Sequence, residues 1–283
     1  RKEWDELAAW VERFDVRCPS NRWLIQVPRT YAVWRKQGHV RNFQEFLDNV
    51  FGPLFDITEH PEHNPALVAL LRDVSGFDSV DDESKPDIDT HMPDPVLWTG
   101  DENPPYVYYM YHMYASIARL NQLRAKRGLD PFDFRPHCGE TGDVAHLAAA
   151  YLAAKNIAHG TQLRNSPVLS YLYYINQIGI TASPLSESAT HTEMAENPFL
   201  SFFKRGLNVS LSTDNPLMIH MTAEPVAEEY ATAAQMWRLS TTDLCEIARN
   251  SVLQSGFTMA EKEAWLGPGF ARTDLRAHDI ART

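Results

Sequence analysis

Two hydrophobic periods alternate along the chain, and their order predicts its secondary structure. Six short apolar runs bounded by proline, glycine or polar residues are typical of buried strands, and they lie at 22–29, 74–80, 133–135, 156–159, 179–183 and 208–212. Apolar residues three and four positions apart predict helices at 1–17, 42–55, 106–127, 144–155, 166–175, 198–204, 225–237, 242–254 and 259–266. Residues 85–105 are rich in proline and acidic side chains, which favours a long surface loop.

Strands that alternate with helices of about ten residues indicate βαβ units and a parallel sheet. An open doubly wound sheet and a (β/α)8 barrel both fit this alternation. A barrel collects its active site from several successive βα loops, whereas an open sheet offers mainly one crevice. Polar side chains follow four different strands here and no GxGxxG segment follows any, so the sequence predicts an α/β protein with a TIM-type barrel and additional C-terminal helices. These polar residues are His137 and Glu140, His159, Ser183 and Ser186, and Asp214 and Asn215.

Composition narrows the class of protein and of partner. With 44% hydrophobic and 22% charged residues, the chain has the composition of a globular domain. Its 26 basic and 37 acidic residues give a net charge of −11, which disfavours a nucleic-acid partner because such proteins need a basic surface. The three cysteines are far apart and suggest no disulfide framework, so a reducing, cytoplasmic location is expected. The longest apolar run, 147–154, is much shorter than the roughly 18–20 residues of a membrane span.

The segment His137-Cys138-Gly139-Glu140 has the residue types of a metal-dependent active site. At a strand end, the imidazole of His137 can bind a metal while the carboxylate of Glu140 faces the same cavity. Gly139 would let a substrate lie close to the backbone. Taken alone, the segment fits a hydrogen-bonded core histidine and a helix-opening glutamate equally well.

Two further strands end in candidate catalytic residues. His159 precedes Gly160 after one strand, and Asp214 precedes Asn215 and Pro216 after another. A buried structural histidine and a helix N-cap are the ordinary alternatives for each. On three strand ends of one predicted barrel, however, these residues together supply two zinc-type ligands, a general acid and a general base. The remaining histidines are interpreted as surface or structural, and the segment 89–91 (Asp-Thr-His) is discounted because it lies in the proline-rich loop.

Several segments resemble the AMP deaminases of the adenosine/AMP deaminase superfamily, and the resemblance extends from residue 1 to about residue 267. The stretches GFDSVDDE and CEIARNSV are far more specific than the HxGE core, which adenosine deaminases share. The resembling segments are 74–86 (VSGFDSVDDESKP), 101–106 (DENPPY), 135–140 (RPHCGE), 183–186 (SPLS), 209–216 (VSLSTDNP) and 244–252 (LCEIARNSV).

This resemblance implies hydrolytic deamination of AMP to IMP and ammonia at a single zinc ion. It makes His137 and Asp214 zinc ligands, Glu140 the residue that handles the proton at purine N1, and His159 the general base. The substrate-binding residues that it implies are Gly139, Glu140, Asn215, Pro216, Leu217 and Met218. For the 5′-phosphate, Arg22 and Arg29 are candidate partners that flank an early strand.

The sequence departs from the family pattern at three places. The family's His-x-His pair, which supplies two more zinc ligands, is not found at a strand end, so we expect the first barrel strands upstream of Arg1. Residues 1–283 would then be a single but partial catalytic barrel domain that binds zinc weakly and is nearly inactive alone. Asn215 replaces the second acid of a usual Asp-Asp-Pro, and residues 186–194 replace a usual Asn-Asn-Ser-Leu-Phe type run.

These departures leave two alternatives open. One is a non-catalytic paralogue that regulates an active partner, which Asn215 and the missing ligands motivate. The other is a deaminase of another adenine compound, which the altered 186–194 segment motivates. The resemblance also implies a homo-oligomer, either a dimer or a tetramer.

Overall fold

Short parallel strands form the centre of the protein. The computed structural model describes residues 2–85, 87, 92–190 and 193–271. Every strand pairing among these residues is parallel, in the orders β1-β2-β3 and β4-β5-β6-β7. The strands are β1 (Trp23–Pro28), β2 (Val74–Val80), β3 (Asp133–Phe134), β4 (His137–Cys138), β5 (Asn156–His159), β6 (Gly179–Ala182) and β7 (Val209–Leu211).

Helices connect the strands and cover the sheet. Several begin with ordinary helix start signals: Asn64 and Ser166 cap helices that open with proline, and Ser240 and Thr258 form capping boxes. The helices are α1 (Lys2–Phe14), α2 (Tyr31–Lys36), α3 (Phe43–Glu59), α4 (Pro65–Asp73), α5 (Tyr106–Lys126), α6 (Ala145–Ala153), α7 (Pro167–Asn176), α8 (Pro184–Thr190), α9 (Phe199–Lys204), α10 (Pro216–Ile219), α11 (Pro225–Trp237), α12 (Thr241–Gln254) and α13 (Met259–Leu266).

The third predicted strand, 133–135, is observed as β3, and a further short strand that was not predicted, β4, follows directly after Pro136. The N–H of Arg135 donates to Phe77 O of β2 at 2.8 Å, and Pro136 O accepts from Ala158 N–H of β5 at 3.0 Å. One chain segment therefore joins the two sheets and passes from β3 to β4, so the six predicted strands lie side by side. Among the described residues no pairing joins β7 to β1. The α/β architecture with parallel strands is confirmed, and barrel closure stays a prediction.

The sheet is held by a continuous hydrophobic cluster that extends from Trp4 to Ile247. β2 is buried along most of its length, and the Phe77 ring makes edge contacts with Trp4, Phe51 and Phe132. Such edge-to-face arrangements are favoured by the aromatic quadrupole. This packing fixes β2, whose next residue, Asp78, faces the site described below.

Helix α12, which contains the whole CEIARNSV segment, is hydrogen-bonded to the last strand and to the residue before it. Ser210 Oγ donates to Gln254 Oε1 at 2.7 Å, and Gln254 Nε2 donates to Asn208 O at 2.9 Å. Asn250 Nδ2 donates to Val209 O at 3.1 Å. Buried amide contacts of this kind fix an element against its neighbour. They anchor β7, from which the loop carrying Asp214 leaves.

Some predicted elements differ from the observed ones at their ends or were missed. Helix α1 ends at Phe14, because Asp15 adopts a left-handed φ of 48°. Helices α2, α4, α8 and α10 were not predicted. Three of them, α4, α8 and α10, start with a proline, which at a first helical position is a start signal and not a break. The segment 89–91 lies outside the described residues. Within the described part of the chain, no helix is long and apolar enough to cross a membrane.

Candidate active site and metal centre

The carboxyl ends of β4, β5 and β7 bring His137, His159 and Asp214 together. One potential ligand atom from each lies within 4.8 Å of the others. His137 Nε2 is 3.5 Å from Asp214 Oδ1, and the centroids of the two imidazole rings are 5.1 Å apart. The parallel register places Cys138 opposite His159, so both histidines lie at the same edge of the sheet. The residues singled out on three separate strands therefore form one cluster.

His137 is held between two carboxylates. Its Nδ1 lies 2.9 Å from a carboxylate oxygen of Asp78, whose Oδ1 also accepts from the His137 N–H at 3.0 Å. Burial disfavours the charged imidazole, but the hydrogen bonds to Asp214 and Asp78 outweigh it and raise the pKa of His137 to about 10. The hydrogen bond from His137 likewise holds the pKa of Asp214 below its usual value. The two carboxylates next to His137 make the electrostatic potential at its ring favourable for a cation.

The donor atoms of this cluster fit a transition-metal ion. Two imidazole nitrogens and one carboxylate oxygen are ligand types that zinc accepts. Histidines that bind a metal usually donate their other ring nitrogen to a carboxylate, and Asp78 has this relation to His137 Nδ1. His159 Nε2 is buried and has no hydrogen-bond partner among the described residues, so the cluster contains an unused donor of electron pairs. A second group of possible ligands, His60, Glu62 and His63, is exposed on the surface.

His159 occupies an unusual backbone position at the end of β5. Its φ is 71°, a left-handed value that is costly for a residue with a Cβ, and Gly160 follows with a φ of 66°. The ring is buried, with Nδ1 3.1 Å from Glu187 Oε1 and Nε2 3.9 Å from Glu140 Oε2. Burial alone would lower the pKa of His159, but the hydrogen bond to Glu187 and the nearby charge of Glu140 raise it.

The backbone of Gly139 is used by the protein itself. Its N–H donates to Glu83 Oε2 at 2.7 Å, its φ is 70°, and a Cβ there would meet the Leu147 side chain at 2.6 Å. Glycine is therefore required by conformation and packing, a reason that sequence analysis did not find. Burial raises the pKa of Glu83 to about 8, against the hydrogen bond from Gly139.

The segment after β7 is partly fixed and partly exposed. Asn215 Nδ2 donates to Asp214 Oδ2 at 2.9 Å, and Ser186 Oγ accepts from the backbone N–H groups of both residues at 3.3 Å. Pro216 opens the short helix α10, on which the side chains of Leu217 and Met218 are 97% and 85% exposed. The described residues thus bring Asn215 to the His137–His159–Asp214 cluster, but they leave Leu217 and Met218 in contact with solvent.

Three acidic residues of the site were not singled out from the sequence: Asp78, Glu83 and Glu187. Asp78 and Glu83 lie in the GFDSVDDE segment, which the sequence analysis used only as a family signature. The position of these acids in or directly after an apolar strand was the feature that could have identified them as residues of the site. The phosphate candidates Arg22 and Arg29 are engaged by carboxylates of the scaffold, since Arg22 pairs with Glu261 and Arg29 with Asp81 and Asp87. Neither guanidinium is arranged as an open phosphate site.

Comparison with known proteins decides the family. The model of the family described as AMP deaminase matches residues 1–283. The chain belongs to the AMP deaminase family. The resemblance seen in the sequence segments is thereby confirmed over the whole chain.

Curated AMP deaminases from distant eukaryotes are similar to this chain throughout its length. It is 53% identical over 284 residues to the AMP deaminase of Schizosaccharomyces pombe, covering 100% of this chain and 34% of that protein. It is 50% identical over 283 residues to the AMP deaminase of Saccharomyces cerevisiae, covering 99% of this chain and 35% of that protein. The chain therefore spans about a third of the length of the curated AMP deaminases that it matches.

Solved structures of deaminases and a related hydrolase share the fold. An N6-mAMP deaminase from Arabidopsis aligns with a TM-score of 0.56 at 14% identity, over 86% of this chain and 57% of that one. An Arabidopsis ADAL structure in complex with IMP aligns with a TM-score of 0.54 at 14% identity, covering 86% of this chain and 56% of that one. An amidohydrolase from Burkholderia ambifaria with bound zinc has a TM-score of 0.55 at 18% identity, over 87% and 55%. At these identities the likeness concerns the fold alone.

Proposed function

We propose that the protein to which this chain belongs hydrolyses AMP to IMP and ammonia, with the His137–His159–Asp214 cluster and Glu140 at its active site. The observation that carries the proposal is the convergence of these side chains on three strand ends, with His159 Nε2 3.9 Å from Glu140 Oε2. Membership of the AMP deaminase family supports AMP as substrate. The IMP held by a protein of the same fold is the product of this reaction.

In this proposal His137 and Asp214 are metal ligands, and the metal is zinc. The nitrogen and oxygen donors suit zinc, and a zinc-containing hydrolase has the same fold. Zinc bound there would lower the pKa of a water molecule to about 7. Asp78 would keep the His137 ring oriented, with Nδ1 protonated and Nε2 facing the metal.

The remaining residues handle protons and position the purine. His159 presents Nε2 to the cluster and would take the proton from the attacking water, while Glu140 would supply a proton to purine N1. The oxygen of that water would bond to purine C6, and the proton taken by His159 would pass to the amino group. The C6–N bond then breaks and ammonia leaves, while the remaining hydroxyl proton returns to Glu140 and leaves the C6 carbonyl of IMP. The backbone near Gly139 and residues 215–218 would contact the substrate, with the Asn215 amide near purine N7.

Two structural completions belong to the same proposal. Residues 1–283 would be part of one catalytic domain, in which further strands of the complete protein close a (β/α)8 barrel between β7 and β1. A His-x-His segment on those strands would add two ligands to the metal. The complete protein would be a cytoplasmic homo-oligomer.

The test is zinc content and IMP formation measured on the complete gene product. We expect about one zinc ion per chain, release of ammonia from AMP, and loss of turnover in Glu140→Gln with zinc retained. Glu246→Gln, which changes an exposed glutamate on α12, is the matched control and should retain full turnover. A folded protein that binds no zinc and releases no ammonia would contradict the proposal.

One observation keeps a second candidate function in view. Asn215 stands beside Asp214 with its amide committed to that carboxylate, where the family usually has a second acid. A regulatory, non-catalytic subunit would tolerate this change. In that case the complete gene product would be inactive alone but would alter the kinetics of a catalytic AMP deaminase added to it, and Asn215→Asp would not create turnover.

A further inference from the structure

Glu187 is a carboxylate buried directly beneath His159. It lies on α8 with its side chain 1% exposed, and both of its oxygens accept hydrogen bonds. Oε1 accepts from His159 Nδ1 at 3.1 Å and from the Ser183 N–H at 3.2 Å. Oε2 accepts from Asn197 Nδ2 at 2.6 Å, and Asn197 is itself fixed because its Oδ1 accepts from the Phe199 N–H at 2.9 Å.

This contact decides which nitrogen of His159 carries the proton. An ionised carboxylate accepts hydrogen bonds and cannot donate them, so Nδ1 of His159 must be the N–H donor. In the neutral ring, Nε2 then keeps a free electron pair. That nitrogen is buried, has no hydrogen-bond partner among the described residues, and lies on the side of the ring near Glu140.

If the side chain at position 187 served only to fill space, a buried carboxylate would be an unfavourable choice. Burying a charge is unfavourable unless it is paired and hydrogen-bonded, and a neutral side chain of the same size avoids that penalty. Glu187 also lies within the 186–194 segment, where this sequence departs from the usual run of its family. The three donors around it are those needed to hold a charge against one face of His159.

We propose that Glu187 is a positioning residue that fixes His159 as the Nδ1–H tautomer and aims Nε2 at the His137–Asp214 pair. The proposal rests on the proposed function for its catalytic consequence, since His159 is there the proton acceptor. It gives the altered segment 186–194 a function, which is to orient the proposed general base His159. The alternative is that Glu187 only ties α8 to β5 and leaves the tautomer to other groups.

Glu187→Gln separates these two roles because the amide has one acceptor and one donor end. If the amide oxygen faces His159, its NH2 group meets the NH2 group of Asn197, which the Phe199 N–H holds in place. If the amide is turned over, its NH2 group meets His159 Nδ1 and favours the Nε2–H tautomer. The single variant therefore cannot satisfy both sides, and Glu187→Gln should populate the wrong tautomer.

The double variant E187Q/N197D supplies the matched rescue. The carboxylate introduced at 197 accepts from the amide NH2 group and still accepts from the Phe199 N–H. The amide oxygen introduced at 187 is then free to accept from His159 Nδ1 and the Ser183 N–H. Glu193→Gln is the control, because Glu193 is an exposed acid of the same segment.

The experiment measures the His159 tautomer by ¹⁵N NMR and AMP turnover in the complete gene product, with the His159 signal assigned from its loss in His159→Asn. We expect Nδ1–H in the native protein, a shift towards Nε2–H in Glu187→Gln, and recovery of Nδ1–H in the double variant. In Glu187→Gln, kcat should fall by about 10- to 100-fold with little change in KM. This loss is part of the roughly 10²–10⁴-fold rate enhancement that general-base catalysis provides. In the double variant, kcat should recover.

Two results would overturn the assignment. One is a Glu187→Gln protein that keeps the Nδ1–H tautomer. The other is a loss of kcat that the double variant does not restore although its tautomer is native. Native protein without AMP turnover would refute the proposed function alone, because the NMR spectra would still decide whether Glu187 sets the tautomer.

Discussion

Asp78 and His137 are 59 positions apart in the chain, yet a carboxylate oxygen of Asp78 lies 2.9 Å from His137 Nδ1. The same carboxylate accepts from the His137 backbone N–H and from Gln26 Nε2. Strand β2 thus supplies the acid and β4 the imidazole, and the acid fixes both the ring and the backbone of the residue at the centre of the site. This relationship makes the His137–His159–Asp214 cluster sensitive to residues that do not belong to it.

Asp78→Asn should weaken the proposed binding of zinc at His137 while leaving the fold intact. The introduced amide has one oxygen for three donors, so its NH2 group must face either His137 or Gln26. Loss of an orienting partner typically reduces metal affinity by about 10- to 100-fold. Competition with a chromogenic zinc chelator measures the change, and Asp82→Asn, at an exposed site beyond β2, is the control. Equal affinities for native protein and Asp78→Asn would show that Asp78 does not orient His137.

The stability of the metal-free protein should depend on the protonation of His137. Its pKa is raised from 6.5 to about 10 in the folded state, so the stabilisation is fully present below pH 6.5 and is lost as the pH rises through about 10. Urea unfolding of native protein and His137→Asn at several pH values isolates this contribution. The difference between their free energies of unfolding should shrink by at least about 1.4 kcal/mol, the equivalent of one pKa unit, between pH 6 and 10. A difference that does not vary with pH would refute the raised pKa.

Glu83→Gln should stabilise the protein at alkaline pH. The folded-state pKa of Glu83 is raised from 4.5 to about 8 by burial, so its contribution is present below pH 4.5 and is lost as the pH rises through about 8. The amide oxygen can still accept from the Gly139 N–H, and no charge is then buried. We expect a gain of roughly 1–3 kcal/mol at pH 9, the usual size of such a burial penalty, and little change at pH 4. Chemical denaturation at pH 9 and at pH 4 measures the change in the free energy of unfolding. Destabilisation of Glu83→Gln at pH 9 would show that the buried charge of Glu83 is not unfavourable.

Gly139→Ala should destabilise the protein far more than Gly38→Ala. Both glycines have left-handed φ values, 70° and 75°, so both substitutions incur about 1–2 kcal/mol of backbone strain. Only at Gly139 would the new Cβ also meet a side chain, Leu147 at 2.6 Å, whereas nothing lies within 4 Å at Gly38. Overpacking adds about 1–3 kcal/mol. Thermal unfolding of the two variants measures the difference, and equal melting temperatures would show that Leu147 moves aside freely.

The local pattern of the chain was sufficient to predict most of its elements. β2 and β5 have the predicted bounds 74–80 and 156–159, and helices α11 and α13 begin and end as predicted. These elements depend on periodicity and on proline and glycine at their ends, which are properties of neighbouring residues. The same reasoning identified His137, His159 and Asp214, because each follows a strand and the carboxyl ends of parallel strands meet at one edge.

The residues beneath the site could not be found in this way. In the sequence, Asp78 is a polar residue in a largely apolar strand. Glu187 is an acid in a polar segment, 28 positions after His159, which it contacts. Their roles depend on which strands are neighbours, in what register, and on how α8 packs against β5. Strand order and helix packing result from burial and backbone pairing across the whole fold. Sequence periodicity therefore determined where the chemical groups lie along the chain. Only the tertiary structure decided which carboxylate is hydrogen-bonded to which imidazole.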